Sequence, residues 1–192
     1  MQGYVQVYTG DGKGKTTAAI GLAMRAIGAG KRVWLLQFMK SRSYSEHAIL
    51  PQVSPLLTVE TLGKPYFIAK EGTLSEAEKK DLGGVVIFPP GQPPADYVAD
   101  CRAGVEKARD GLRSGRYDVV ILDEIIVALY FELITRADVE SLLAARPAST
   151  ELVLTGRRAP EWLIERADLV TEMVPVKHYF EQGVANRKGI ED

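Results

Sequence analysis

Gly10, Gly12 and Gly14 alternate with Asp11, Lys13 and Lys15, and the run ends in Thr16-Thr17. Glycine reaches the positive φ angles that turn successive backbone N–H groups into one concavity, a cradle for an anion. Lys15 adds a point charge on a flexible stem, and Thr16 a hydroxyl of the kind that ligates Mg2+. The stretch "YTGDGKGKTT" departs from the phosphate-loop pattern G-x-x-x-x-G-K-[ST] at one place. Counted back from Gly14-Lys15-Thr16, the first glycine falls on Thr9, with Gly10 one residue late. A strand-like run over residues 4–8 precedes the glycines, and a helical pattern starts at Lys15. A helix N-terminus there contributes its dipole and its unpaired N–H groups. Glycine-rich turns before helices also serve packing alone, but strand, loop, Lys-Thr-Thr and helix in this order favour phosphate.

Such a loop needs an acidic partner for the metal, at the end of a hydrophobic strand. "YDVVILDE", residues 117–124, ends in Asp123 and Glu124. Mg2+ takes one or two carboxylates together with phosphate oxygens and water, which this pair can supply. The competing explanation is a solvated helix start, since acids favour a helix N-terminus. Arg157 and Arg158 follow the run "ELVLTG" and fall on the same side of a sheet; one can reach phosphate, or both are solvated loop arginines. Arg25 lies ten residues beyond Lys15, roughly three helical turns away, which makes reach within its own subunit difficult. His47 and His178 read as packed or surface residues. With Cys101 as the lone cysteine they form no transition-metal cluster.

The elements that must position these groups alternate along the chain. Strands are expected over residues 4–8, 32–38, 57–61, 118–123, 151–155 and 169–174, and several are wholly apolar, as strands buried on both faces are. Helices are expected over 15–29, 97–114, 137–145 and 161–167, with Gly30 and Gly115 as stops and Pro160 at a start. This is an α/β fold of the P-loop NTPase-like kind, a doubly wound, mostly parallel sheet with helices on both faces. Residues 1–192 contain no repeat and no linker long enough to divide them, so one domain is expected. Residues 39–94 resist the alternation and read mainly as loop, with a capping box at Ser75-Glu76-Ala77-Glu78 opening a short helix. Ligands of open α/β sheets bind beyond the carboxyl ends of the strands, so a second substrate is expected at 39–94.

Composition narrows the partners. The 192 residues are 46% hydrophobic and 26% charged, with net charge −1, so no global basic field argues for nucleic acid. One cysteine excludes an intramolecular disulfide, and no apolar run approaches the ~20 residues of a membrane span. The first strand starts too close to Met1 for a signal peptide, which points to a cytoplasmic protein. A phosphate site alone names no reaction: kinases, hydrolases and nucleotide-dependent binding modules share it.

The segments "VYTGDGKGKTTAAIGLAMRAIGAGKRV", "LLQFMK", "YDVVILDEI", "LVLTGRRAP" and "ADLVTEMVPVKHYFEQGVANRKGIED" together resemble the P-loop type of ATP:corrinoid adenosyltransferase, also called cob(I)alamin adenosyltransferase. The likeness runs from Gly3 to Asp192, and Thr for the first glycine is that family's usual form. It implies transfer of the 5′-deoxyadenosyl group of ATP to the cobalt(I) of a reduced corrinoid, with triphosphate leaving. ATP then lies across the loop in an orientation reversed from that of common P-loop hydrolases. Thr9, Gly10 and residues 11–17 match the nucleotide loop, with Lys13 and Lys15 placed to stabilise the leaving charge. Thr16 and Glu124 match metal positions beside Asp123, and Arg25 matches a nucleotide-contacting arginine, while Arg157, in the arginine-bearing TGR segment, is kept as a second candidate for the nucleotide. The resemblance also implies Mg2+, a homodimer and a flavoprotein reductant. Two departures stand out. Only Met1 and Gln2 precede Gly3, where better-known members carry a site-covering arm, and "LGKPYF" replaces a T-G-F-x-W-like segment near the corrinoid. Tyr66 and Phe67 are the candidate aromatic wall there, with a core role as the alternative.

Overall fold

The strands that matter most to function end where the candidate site begins. The computed structural model describes residues 2–41, 44–73 and 85–191. Their order is β1 (Val5–Thr9), α1 (Lys15–Gly28), β2 (Val33–Phe38), α2 (Glu46–Val53), β3 (Leu57–Leu62), β4 (Phe67–Lys70) and β5 (Val85–Phe88). There follow α3 (Ala95–Arg113), β6 (Val119–Asp123), α4 (Ile125–Tyr130), α5 (Arg136–Ala145), β7 (Glu151–Thr155), α6 (Glu161–Arg166), β8 (Leu169–Glu172) and a 3-10 turn, Tyr179–Gln182. Six strands form a parallel sheet in the order β3-β2-β6-β7-β1-β8. All six expected strands are present, within two residues at each end.

Leu35, Leu36, Val120, Ile121, Leu122, Leu152, Val153 and Leu154 are wholly buried, so the central strands are covered on both faces. On one face Val33, Leu35, Val119, Ile121 and Val153 pack against Ala19, Ala23 and Ala26 of α1 and Leu50 of α2. Alanine at those three positions lets α1 lie close to the strands. On the other face Trp34, Leu36, Phe38, Val120, Leu122, Leu152 and Leu154 meet α3, α4, α5 and α6. Each such large side chain contributes about 1.5–3 kcal/mol by burial. Gly104 and Gly111, two turns apart on α3, set the approach of that helix: a Cβ would stand 2.3 Å from Leu62 Cδ1 at the first and 2.2 Å from Trp34 Cζ3 at the second.

The register aligns the chemistry. Gln37 of β2 lies beside Asp123 of β6, and Tyr8 of β1 lies beside Thr155 of β7. The carboxyl ends of these four strands therefore form one row, with the glycine loop at its end.

Residues 39–94 hold more regular structure than their composition suggests. They contain α2 and a two-stranded parallel sheet of β4 and β5, whose Ile68 and Phe88 join the larger apolar cluster. Pro51 inside α2 hides that helix from propensity reasoning. The expected capping box at residues 75–78 lies outside the described residues. A capping box does occur at α5: the Asp138 N–H donates to Thr135 Oγ1 at 3.2 Å, and the Thr135 N–H donates to Asp138 Oδ2 at 2.7 Å. No helix among the described residues is long and apolar enough to cross a membrane.

Candidate functional site

The loop from Thr9 to Lys15 is held by the chain that leaves β8. The Met173 N–H donates to the Thr9 carbonyl at 2.8 Å, and the Gly12 N–H donates to the Met173 carbonyl at 2.7 Å. A Cβ at Gly10 or Gly12 would stand 2.5 or 2.6 Å from the Met173 oxygen, so close backbone approach requires glycine at both. The Gly12 N–H is thereby engaged with protein, which modifies the expectation that the three glycines turn their N–H groups toward one anion. Gly14, at φ 118, is the residue that turns the chain into α1. Thr9, at the position of the missing glycine, ties the loop to the segment after β7, because its hydroxyl accepts the Ala159 N–H at 3.1 Å. Glycine could not make that bond. Lys15 is buried and folds back over the loop, its ammonium donating to the carbonyls of Gly10 at 2.6 Å and Gly12 at 2.8 Å. Burial, and then the charge of Arg157, lower its pKa. Asp11, Lys13 and Thr17 are exposed around it.

Asp123 is wholly buried at the end of β6 and is satisfied by four side chains. Its Oδ1 accepts from Thr155 Oγ1 at 2.6 Å and from Thr16 Oγ1 at 3.0 Å. Its Oδ2 accepts from Gln37 Nε2 at 3.0 Å and from Lys40 Nζ at 2.8 Å. Burial opposes its charge, but Lys40 and these hydrogen bonds outweigh that and hold the carboxyl below the ordinary range. Glu124 next to it is pushed the other way, by burial and by the charge of Asp123. It sits at φ 60, in the left-handed region, and its N–H donates to Thr155 Oγ1 at 3.0 Å. The two acids thus differ in role although they adjoin in sequence. Asp123 is a fixed anion, whereas Glu124 gains most from a further cation. Thr16, Asp123 and Glu124 offer the hard oxygen donors that suit Mg2+. The described residues contain no group of three or more His, Cys, Asp or Glu that could cage a metal unaided, so a Mg2+ held here would need phosphate oxygens or water to complete its shell.

Residues 1–191 match the family model described as ATP:corrinoid adenosyltransferase BtuR/CobO/CobP. The chain belongs to this family. It is similar to the corrinoid adenosyltransferase CobA of Salmonella typhimurium, 32% identical over 99% of this chain and 86% of the relative. It is also similar to the corrinoid adenosyltransferase of Sinorhizobium sp, 35% identical over 99% and 80%. That of Pseudomonas aeruginosa is 31% identical over 99% and 84%.

The remaining candidates read from the sequence fall in different places. Arg157 is exposed just after β7, close enough to Lys15 and Glu124 for its charge to act on both. Arg25 is exposed in the last turn of α1, while Lys15 and Thr16 are in the first. Its charge acts on Tyr8, in β1. Arg158 lies over the Tyr130 ring at 4.9 Å. Tyr66 is half-buried, with its hydroxyl on Asp96 Oδ2 at 2.6 Å and its ring edge-on to Tyr97. Phe67, its neighbour, is 48% exposed at the start of β4. Three participants went unseen in the sequence: Gln37, Lys40 and Thr155. One signal was available, since Gln37 is the single polar residue of "VWLLQF" and a buried glutamine needs partners.

Proposed function

We propose that this chain transfers the 5′-deoxyadenosyl group of ATP to the cobalt(I) of a reduced corrinoid, the reaction of its family. The observation that carries this is the union, in a chain matched from end to end by that family, of a glycine loop with Lys15 and a paired Asp123-Glu124. Cobalt(I) brings its own electron pair. A Co–C5′ bond forms as the C5′–O bond breaks, and the electrons leave with triphosphate, so the protein needs no general base. Its work is to hold C5′ in line and to stabilise charge gathering on the leaving group.

Lys15, Lys13 and the N-terminus of α1 answer the second need, with Arg157 within electrostatic range. Mg2+ bound by Thr16, Glu124 and Asp123 would supply further positive charge to the phosphates. Thr9, Gly10, Asp11, Gly12, Gly14 and Thr17 shape the nucleotide loop. Phe67, exposed beside the tethered Tyr66, is the candidate corrinoid contact. Arg25, at the far end of α1, serves the nucleotide only across a homodimer interface. We include in the same reading a single unit over residues 1–192, a cytoplasmic setting, and a flavoprotein that delivers the corrinoid reduced.

Incubation with Mg·ATP and chemically reduced cobalamin should give adenosylcobalamin and triphosphate in equal amounts. Formation of ADP and phosphate would instead identify a hydrolase or kinase. Absence of turnover would sink the proposal.

A further inference from the structure

Lys40 already engages two of the residues that would hold a metal. Its ammonium is 2.8 Å from Asp123 Oδ2 and 3.1 Å from Thr16 Oγ1, so it bonds two of the oxygens assigned above to Mg2+. Thr16 spends its proton on Asp123 and offers a lone pair to Lys40, the lone-pair side of the hydroxyl that a cation would use. The side chain is placed by the fold rather than by chance. Met39 takes φ 58 and turns the chain at the end of β2, and the Lys40 N–H donates to the Leu62 carbonyl at 3.0 Å. Gly63 then presses on the backbone of Lys40 so closely that a Cβ there would stand 2.6 Å from the Lys40 carbonyl carbon. With its main chain so held, only the flexible stem of Lys40 can move.

A second set of partners lies outward. Glu46 Oε1, in the first turn of α2, is 3.9 Å from the ammonium, within ion-pair range but beyond a hydrogen bond. The Tyr44 ring centroid is 5.2 Å away, a cation–π distance. The same turn of α2 reaches the site by another route. His47 Nε2 is 2.6 Å from Gln37 Oε1, and Gln37 donates to Asp123. The start of α2 therefore touches both Lys40 and the carboxylate that Lys40 neutralises.

We propose that Lys40 is a resident cation that holds Thr16 and Asp123 in place of the metal and, when Mg2+ arrives, moves outward to Glu46 and the Tyr44 ring. Two cations on the same oxygens repel one another and compete for their lone pairs, so the ammonium and the metal oppose each other here. Lys40 is on this account a positioning residue: it keeps a buried carboxylate ionised and aligned before the nucleotide arrives. Its exchange also carries the state of the metal site to α2, at the border of the region expected to receive the corrinoid. The inference rests on the reading of Thr16 and Asp123 as metal-facing groups.

The test titrates the full chain with Mn2+ alone and follows the EPR signal of free Mn2+, without ATP. Lys40→Met should bind Mn2+ about tenfold or more tightly than the native chain, since a competing charge is gone. Its melting temperature should rise more on Mn2+ addition than that of the native chain. Glu46→Gln, which removes the outward partner, should bind Mn2+ about threefold more weakly, and it carries the test if Lys40→Met does not fold. Asp123→Asn, titrated under conditions where circular dichroism shows it folded, should abolish binding. If Asp123→Asn does so while the other two variants match the native affinity, or Lys40→Met binds more weakly, the exchange is overturned and the metal site stands. If Asp123→Asn binds Mn2+ like the native chain, both are overturned.

Discussion

The two regions proposed to serve the two substrates are built to different standards. At the carboxyl ends of β1, β2, β6 and β7, Asp123 is wholly buried and is held by four side chains, from α1, β2, the loop after β2 and β7. Around β4 and β5, Phe67, Val86 and Ile87 are 48%, 45% and 44% exposed on a sheet of two strands. A pair of strands is marginal on its own, and this one is anchored by Ile68 and Phe88 in the larger apolar cluster and by a few polar contacts. Tyr66 and Tyr97 fasten it to α3, and Lys70 reaches Glu132 after α4. The difference fits the chemistry each region faces. Charge leaving with triphosphate is stabilised by groups fixed beforehand, whereas a large macrocycle needs an apolar surface that can accommodate it.

The first two predictions strike the rigid side. Asp123→Asn leaves the Lys40 ammonium buried without its counter-charge, and should lower stability by about 3–5 kcal/mol, read by urea denaturation. A loss no larger than that of an exposed ion pair would show that the network is not rigid. Lys15→Ala should fold normally and lower turnover by about 10²–10³-fold, because its charge is spent on the leaving group. Near-native turnover of that variant would remove the loop from the mechanism.

Next comes the joint between the regions. Gly63 follows β3 and lies against the backbone of Lys40, with a hypothetical Cβ 2.6–2.8 Å from its carbonyl carbon, nitrogen and oxygen. Backbone cannot rotate out of the way as a side chain can. Gly63→Ala should therefore cost about 1–3 kcal/mol and raise the KM of both substrates together. An effect on the corrinoid alone would mean that the regions are not mechanically joined there.

The same division governs what the residues alone disclose. The six-strand sheet was legible because strands buried on both faces are continuously apolar, as "VVIL" and "VWLL" are, and because Gly30 and Gly115 stop helices in left-handed conformations. The glycine loop and Asp123-Glu124 were legible because their spacing is local. Lys40, Gln37 and Thr155 were not, since their importance comes from parallel register, Gln37 beside Asp123 and Tyr8 beside Thr155, across more than eighty residues in the first case and more than a hundred in the second. The strands β4 and β5 were hidden for another reason. Four residues each, with exposed apolar side chains and a lysine, carry no alternation that distinguishes strand from loop. The family resemblance supplied the reaction, which no physical feature of the loop specifies.

On the adaptable side the effects should be smaller and confined to one substrate. Phe67→Ala should raise the KM for corrinoid about tenfold, the loss of one aromatic contact, and leave the KM for ATP unchanged. If both constants rose together, Phe67 would belong to the fold rather than to the corrinoid surface.

The smallest effect should come from Tyr66→Phe, and its pH dependence distinguishes a tether from a packing contact. The Tyr66 hydroxyl donates to Asp96, which raises the tyrosine pKa to about 12 and lowers that of Asp96. The carboxylate side of this bond is present above the ordinary value of 3.8 and is lost as pH falls through the depressed pKa. The phenol side is present below the ordinary value of 10.0 and is lost as pH rises toward about 12. The native chain should therefore exceed Tyr66→Phe in stability only in the window between, with the two curves meeting in strong acid and strong base. Denaturation midpoints near pH 7 and near pH 2 would measure this directly. A gap of equal size at both would mean that the ring, packed edge-on to Tyr97, holds the segment and the hydroxyl does not. In that case this region is tethered by packing, and its contrast with the hydrogen-bonded Asp123 network is sharper still.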